Sequence, residues 1–153
     1  MDVVNFYSVS DDFGEFSNFA KFSIELDGKR WPTSEHYFQA QKFDDPGYRE
    51  QIRTAKSPMI AARLGRSRKV KLRRDWESVK VEIMRTAVRA KFLQHDELRT
   101  LLLSTAAAKL VEHTVNDDYW GDGGDGSGRN MLGQILMQVR EEFRQSQDGT
   151  QSE

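Results

Sequence analysis

Between Trp76 and Ala90 apolar side chains return at steps of three and four residues: Trp76, Val79, Ile83, Ala87 and Ala90 form one stripe. That spacing predicts a long amphipathic helix after Asp75, and such a helix must lay its stripe against other elements to leave water. The neighbouring sequence supplies partners of the same kind. Thr33 and Ser34 offer caps ahead of a short helix over Glu35 to Phe43, which ends before Pro46. Ser57-Pro58 starts a helix of roughly two turns, with Gly65 stopping the run. Asp96 can cap a segment carrying Leu98, Leu101, Leu102 and Leu103, and helical spacing resumes from Asn130 to Phe143 through Met131, Ile135, Leu136 and Val139.

Strand signals are fewer. Val3 to Tyr7 and Phe22 to Leu26 are β-prone, and Asp27-Gly28 is a tight-turn pair leading to Arg30, so a small antiparallel sheet is expected at the start. Lys109 to Thr114 alternates like one more short strand. The strands are not interleaved with helices in a βαβ pattern, which points to an α+β, helix-dominated body. With 153 residues and no Pro- or Ser-rich linker, one domain over 1–145 is expected, followed by a disordered polar tail over 146–153. No internal repeat is present.

Composition removes several chemistries. The chain has no cysteine, so thiol catalysis and Cys-based zinc sites are excluded, and His36, His95 and His113 lack a ligand spacing; no metal is expected. A net charge of −1 argues against a general nucleic-acid binder. Neither a leader-like start nor an apolar run of bilayer length is seen, so the expectation is a cytoplasmic protein without membrane contact.

Three segments carry side chains that packing alone does not explain. In Trp31 to Phe43, the steps of four and three place Glu35, Gln39 and Lys42 on one helix face. A carboxylate there can protonate a leaving nitrogen, and Lys42 can serve as an amine nucleophile. Equally, Glu35 can complement the helix dipole while Lys42 sits in solvent. The second segment, Tyr119 to Asn130, is glycine-rich and runs into a helix. Gly121 and Gly123 would let backbone N–H groups approach a phosphate or sugar, whereas a flexible surface loop with Asn130 as N-cap fits the same pattern. Asp117, Asp118, Asp122 and Asp125 hint at calcium without the EF-hand order. The third segment, Arg63, Arg66, Arg68, Lys69, Lys71, Arg73 and Arg74, either holds a phosphate or forms a solvated basic surface. Trp76 and Trp120 would stack on a base or belong to the core.

Taken as a set, Asn5-Phe6-Tyr7, Phe16-Ser17-Asn18-Phe19, the Trp31 to Phe43 run, Ser57-Pro58, Ala62-Arg63-Leu64-Gly65, Trp76, Met84, Lys91-Phe92, Leu110-Val111-Glu112, Trp120-Gly121-Asp122-Gly123 and Asn130-Met131-Leu132-Gly133 resemble the NADAR (NAD and ADP-ribose) family, in its compact YbiA-like branch. The resemblance runs from about Asn5 to about Arg140 in family order. It implies an N-glycosidase that needs no cofactor. The implied substrate is a small phosphorylated aminopyrimidine riboside: the diaminopyrimidinone or aminouracil ribosylamine 5′-phosphate of early riboflavin biosynthesis, cleaved to free pyrimidine and ribose 5-phosphate. Carried over by residue, it implies Glu35 and Lys42 at the reacting centre, Trp120, Asp122 and Asn130 in substrate positioning, and Arg63 or its neighbour Arg66 at the phosphate. Asp122 also keeps a mechanism with two carboxylates open. Competing readings are an ADP-ribosyl-guanine hydrolase, the one enzyme reading that brings in nucleic acid, and a non-enzymatic nucleotide- or RNA-binding module.

Overall fold

The computed structural model describes residues 2–151, and the side chains of 2–147. The described chain falls into two compact units, one made from the two ends of the chain, up to Ser17 and from His95 onward, the other from Asn18–Gln94. No change in composition marks either junction, which is why the sequence offered one uninterrupted domain.

In the unit formed by Asn18–Gln94, strands β2 (Ile24–Leu26) and β3 (Lys29–Trp31) pair antiparallel. Asp27 and Gly28 both take positive φ, 57° and 75°, which gives the expected hairpin turn. Four helices follow: α1 (Ser34–Ala40), α2 (Pro46–Arg53), α3 (Pro58–Arg66) and α4 (Trp76–Gln94). Thr33 caps α1 by accepting the His36 N–H, and Ser57 caps α3 by accepting that of Ile60. Helix α2 was missed in the sequence although it carries the same signal, since Asp45 caps it by accepting the Tyr48 N–H and Pro46 opens its first turn. Gly65 does not stop α3 but lies inside it. Ile24, Trp31, Tyr37, Ala40, Phe43, Ile52, Ala61, Ala87 and Ala90 form the core. Ala87 and Ala90 of the recognised stripe are thus buried as expected, and Met84, Val88, Lys91 and Phe92 are buried too, so α4 is covered around more of its circumference than the stripe implied.

In the other unit, β1 (Val3–Phe6) pairs parallel with β4 (Lys109–Glu112). The opening strands therefore do not share one antiparallel sheet. A hairpin turn connects β2 and β3, whereas β1 finds its partner only after the whole intervening chain, and a connection of that length permits the parallel sense. Helix α5 (Asp96–Ser104) buries Leu98 and Leu102, and its first residue is Asp96, with His95 at the cap position. Helix α6 (Met131–Gln151) buries Leu132, Ile135, Leu136, Val139 and Phe143. Gly133 is required where α6 crosses β4, because a Cβ there would overlap the Leu110 carbonyl oxygen. The buried Arg140 donates from Nη1 to Thr105 Oγ1 and to Ala108 O, 2.8 Å each, fixing α6 to the turn after α5. The helix continues to Gln151 where a polar tail was expected. Helix formers run through Arg140, Glu141, Glu142, Arg144 and Gln145, and Glu141 pairs with Arg144 one turn on. Residues 152–153 of the expected tail lie outside the described residues.

Candidate active site

Helix α1 carries the densest set of buried polar groups in its unit. Asn18 anchors its start: its backbone carbonyl accepts the Glu35 N–H (3.2 Å) and its Oδ1 accepts Ser34 Oγ–H (2.8 Å). Asn18 Nδ2 in turn donates to Met84 Sδ on α4. The Phe16 to Phe19 run thus contributes a residue that sets where Glu35 lies, a role that an asparagine between aromatic residues only hinted at. His36 is buried between the Thr33 hydroxyl (2.8 Å) and the Ala55 carbonyl (3.0 Å), and burial lowers its pKa. It is a neutral tie between α1 and the segment before α3.

Helix α1 ends at Ala40, short of the expected Phe43, so Glu35 and Gln39 share one of its faces while Lys42 follows in a turn, its N–H on the Gln39 carbonyl, within electrostatic reach of Glu35. Glu35 is 8% exposed, and its Oε2 accepts Gln39 Nε2–H at 2.7 Å. Lys42, just beyond α1, is half-buried. Its Nζ lies 5.8 Å from the Phe38 ring centroid and 5.9 Å from that of Trp76, two rings packed against each other at 5.1 Å. Loss of water along this aromatic wall lowers the Lys42 pKa to about 8; Glu35 opposes the shift, while Arg68, Arg66 and Lys80 reinforce it. Trp76 is buried against Phe38, so its ring walls the lysine and does not offer an open face to a base. Lys80 was missed in the sequence, although it follows Trp76 by one turn of α4 and so shares its side. Of the basic stretch, Arg73 is engaged with Asp75, Arg68 Nη1 donates to the Gly65 carbonyl, and Arg63 and Arg66 are exposed at the end of α3.

The glycine-rich loop belongs to the other unit, with Trp120, Gly121, Asp122, Gly123 and Asn130. It is not an open cradle of amides. The N–H groups of Gly123, Gly128, Asn130, Met131 and Leu132 donate to the carbonyls of Asp117, Asp122, Gly121, Tyr119 and Trp120. The loop therefore satisfies the start of α6 itself, and the Gly123 N–H expected to approach a phosphate is already used by the Asp117 carbonyl. Asn130 holds the expected N-cap position of α6, its carbonyl accepting the Gln134 N–H, but its side chain does not cap the helix. At φ 52° it turns its side chain onto β4, accepting the Glu112 N–H (3.0 Å) and donating to the Leu110 carbonyl (2.9 Å).

Asp122 is likewise an organiser of the loop. Its Oδ1 accepts the N–H of Thr114 (3.0 Å) and of Gly124 (2.9 Å), and its Oδ2 pairs with His113 Nδ1 (2.8 Å). The His113 bond is the chief cause of a pKa held down to about 2, a value suited to a permanent anion and not to a proton donor. Asp117 and Asp125 accept N–H groups of their own turns, and among the described residues no group of three or more His, Asp or Glu side chains is placed to hold a metal ion. Trp120 is partly exposed and packs edge-on against Tyr119. Beside the loop lies a groove of about 600 Å³ lined by Asn5, Lys109, His113, Asp122, Arg129 and Gln134, among others.

The family model described as the NADAR domain matches residues 5–144. The chain is 66% identical to N-glycosidase YbiA of Escherichia coli (strain K12) over 141 residues, 92% of this chain and 88% of that protein. It is 44% identical over 157 residues to the chloroplastic riboflavin biosynthesis protein PYRR of Zea mays, covering 93% of this chain and 25% of that protein. The NMR structure of E. coli YbiA matches with a TM-score of 0.89 at 64% identity, over 95% of this chain and 87% of that one.

Proposed function

This chain belongs to the NADAR domain family, and from that membership we propose that it is an N-glycosidase acting on early riboflavin intermediates, with Lys42 as nucleophile and Glu35 as proton donor and acceptor. The substrates are the ribosylamine 5′-phosphates of the diaminopyrimidinone and of the aminouracil, and the products are the free pyrimidine and ribose 5-phosphate. The observation that carries this reading is the lowered pKa of Lys42 beside a buried carboxylate. At a pKa of about 8 roughly a tenth of the lysine is neutral at pH 7, hundreds of times more than for an ordinary lysine.

The substrate joins C1′ to an exocyclic amine. The nitrogen lone pair expels the ring oxygen, which takes a proton, and C1′ becomes part of an iminium. Neutral Lys42 Nζ adds to C1′ and forms a C–N bond. A proton passes from Lys42 Nζ through the Glu35 carboxylate to the pyrimidine amine. The lone pair on Nζ then expels that amine and leaves a Schiff base on Lys42. Water adds to C1′, Lys42 departs as the amine, and ribose 5-phosphate is released. The apolar wall of Phe38 and Trp76 keeps Lys42 reactive, and the Arg66 and Arg68 guanidiniums provide for the 5′-phosphate.

Product analysis with both riboside phosphates, run beside an ADP-ribosylated guanosine, tests the substrate assignment: the free pyrimidine is expected from the first two. Borohydride added during turnover should fix ribose phosphate on Lys42, detected by peptide mass spectrometry. A fully active Lys42→Arg variant would eliminate the covalent route.

A further inference from the structure

We propose that Gln39 is a positioning residue that holds the Glu35 carboxylate for proton transfer, and that Gly65 on α3 is what gives the Gln39 amide room to do so. The proposal rests on the reading of Glu35 as the group that handles the proton. Both side chains are more than nine-tenths buried, and Gln39 Nε2 donates to Glu35 Oε2 at 2.7 Å across one turn of α1. An amide N–H must meet a lone pair, so Oε2 accepts from Gln39 and this bond fixes the orientation of the carboxylate that handles the proton.

The other end of the amide explains Gly65. Gln39 Oε1 is buried and has no hydrogen-bond partner, and a Cβ at position 65 would overlap this oxygen and the amide carbon. The reverse amide orientation would set its carbonyl against the carboxylate. Any side chain at 65 must therefore displace the group that holds Glu35. Glycine is a weak helix former, and here it is the penultimate residue of α3 without the positive φ that would call for it. The position gives up helix stability for clearance at Gln39.

Several charged groups surround the pair. Lys42 follows in the turn past α1, Arg66 and Arg68 act on it from the end of α3, Lys80 acts from α4, and His36 is turned to Thr33 and Ala55.

The test uses the full chain with Gln39→Met, which keeps side-chain length without donor or acceptor, Gln39→Glu, and Gly65→Ala. The Glu35 carboxyl is titrated by NMR in protein carrying ¹³C-labelled glutamate, its signal assigned by its loss in Glu35→Gln. Removing a donor from the ionised form should raise the midpoint by about one pH unit in Gln39→Met. Gln39→Glu should raise it further, because two carboxyls then compete for one proton. Gly65→Ala should move it in the same direction as Gln39→Met. In steady state the limb of the kcat profile governed by Glu35 should move by the same amount with KM little changed. An unmoved midpoint in the Gln39 variants, or a kcat lowered equally at every pH, overturns the proposal while Glu35→Gln remains inactive. A Glu35→Gln enzyme with near-native turnover is the separate failure of the underlying reading, and the proposal falls with it, whatever the titration shows.

Discussion

Lys42→Met should make the protein more stable as it abolishes turnover. Methionine keeps an unbranched apolar stem against Phe38 and Trp76 and removes the ammonium. A pKa displaced from 10.5 to about 8 means that the folded state opposes the charged lysine by about 3 kcal/mol when it is protonated in both states. The sign follows from proton uptake: between pH 8 and 10.5 the unfolded chain binds the proton more readily than the folded one, so wild-type stability rises with pH across that interval. Below pH 8 the penalty is present in full, and above about 10.5 it is gone. Urea denaturation at pH 7 should therefore show Lys42→Met more stable by about 1–3 kcal/mol, with the lower end reflecting relaxation and water near a half-buried group. The difference should shrink when both proteins are compared at pH 9 and again at pH 10. A variant less stable than wild type at pH 7, or a gap that ignores pH, would refute desolvation as the cause of the shift.

Three further outcomes are expected. Asp122→Ala leaves the N–H groups of Thr114 and Gly124 without their acceptor and should lower stability by about 1–3 kcal/mol at pH 7. Because the Asp122 pKa is depressed to about 2, its contribution is complete above pH 4, and the gap in urea midpoints should close as pH falls from 4 through 2. Arg140→Met strips the donor from Thr105 Oγ1 and Ala108 O and should lower stability by about 2 kcal/mol in the same assay with catalysis retained. Arg66→Ala should raise KM for the phosphorylated substrate several-fold more than Arg63→Ala does, since Arg66 acts on Lys42 from the end of α3; equal effects would remove Arg66 from the phosphate site.

Much of this protein is written in local signals. The stripe from Trp76 to Ala90, the caps Thr33 and Ser57 and the Asp27-Gly28 turn each fix a conformation through interactions within a few residues, so α1, α3, α4 and the hairpin could be read directly. The shared face of Glu35 and Gln39 follows from helical geometry alone, and the family follows from its ordered motifs; Lys42 comes near Glu35 from a turn past the helix end. Long-range pairing is different. That β1 joins β4 in parallel depends on where the chain returns, and no residue of Val3–Phe6 encodes its partner. Burial also decided what each polar group can do: Asp122 spends both oxygens on its own loop, Trp76 turns to Phe38, and Gly65 serves Gln39 instead of ending a helix. Sequence placed Lys42 and Glu35 on one side of a helix, but the lysine's reactivity comes from aromatic and cationic neighbours brought in from α3 and α4, because a pKa responds to the solvent and charge around a group and not to its place in the chain.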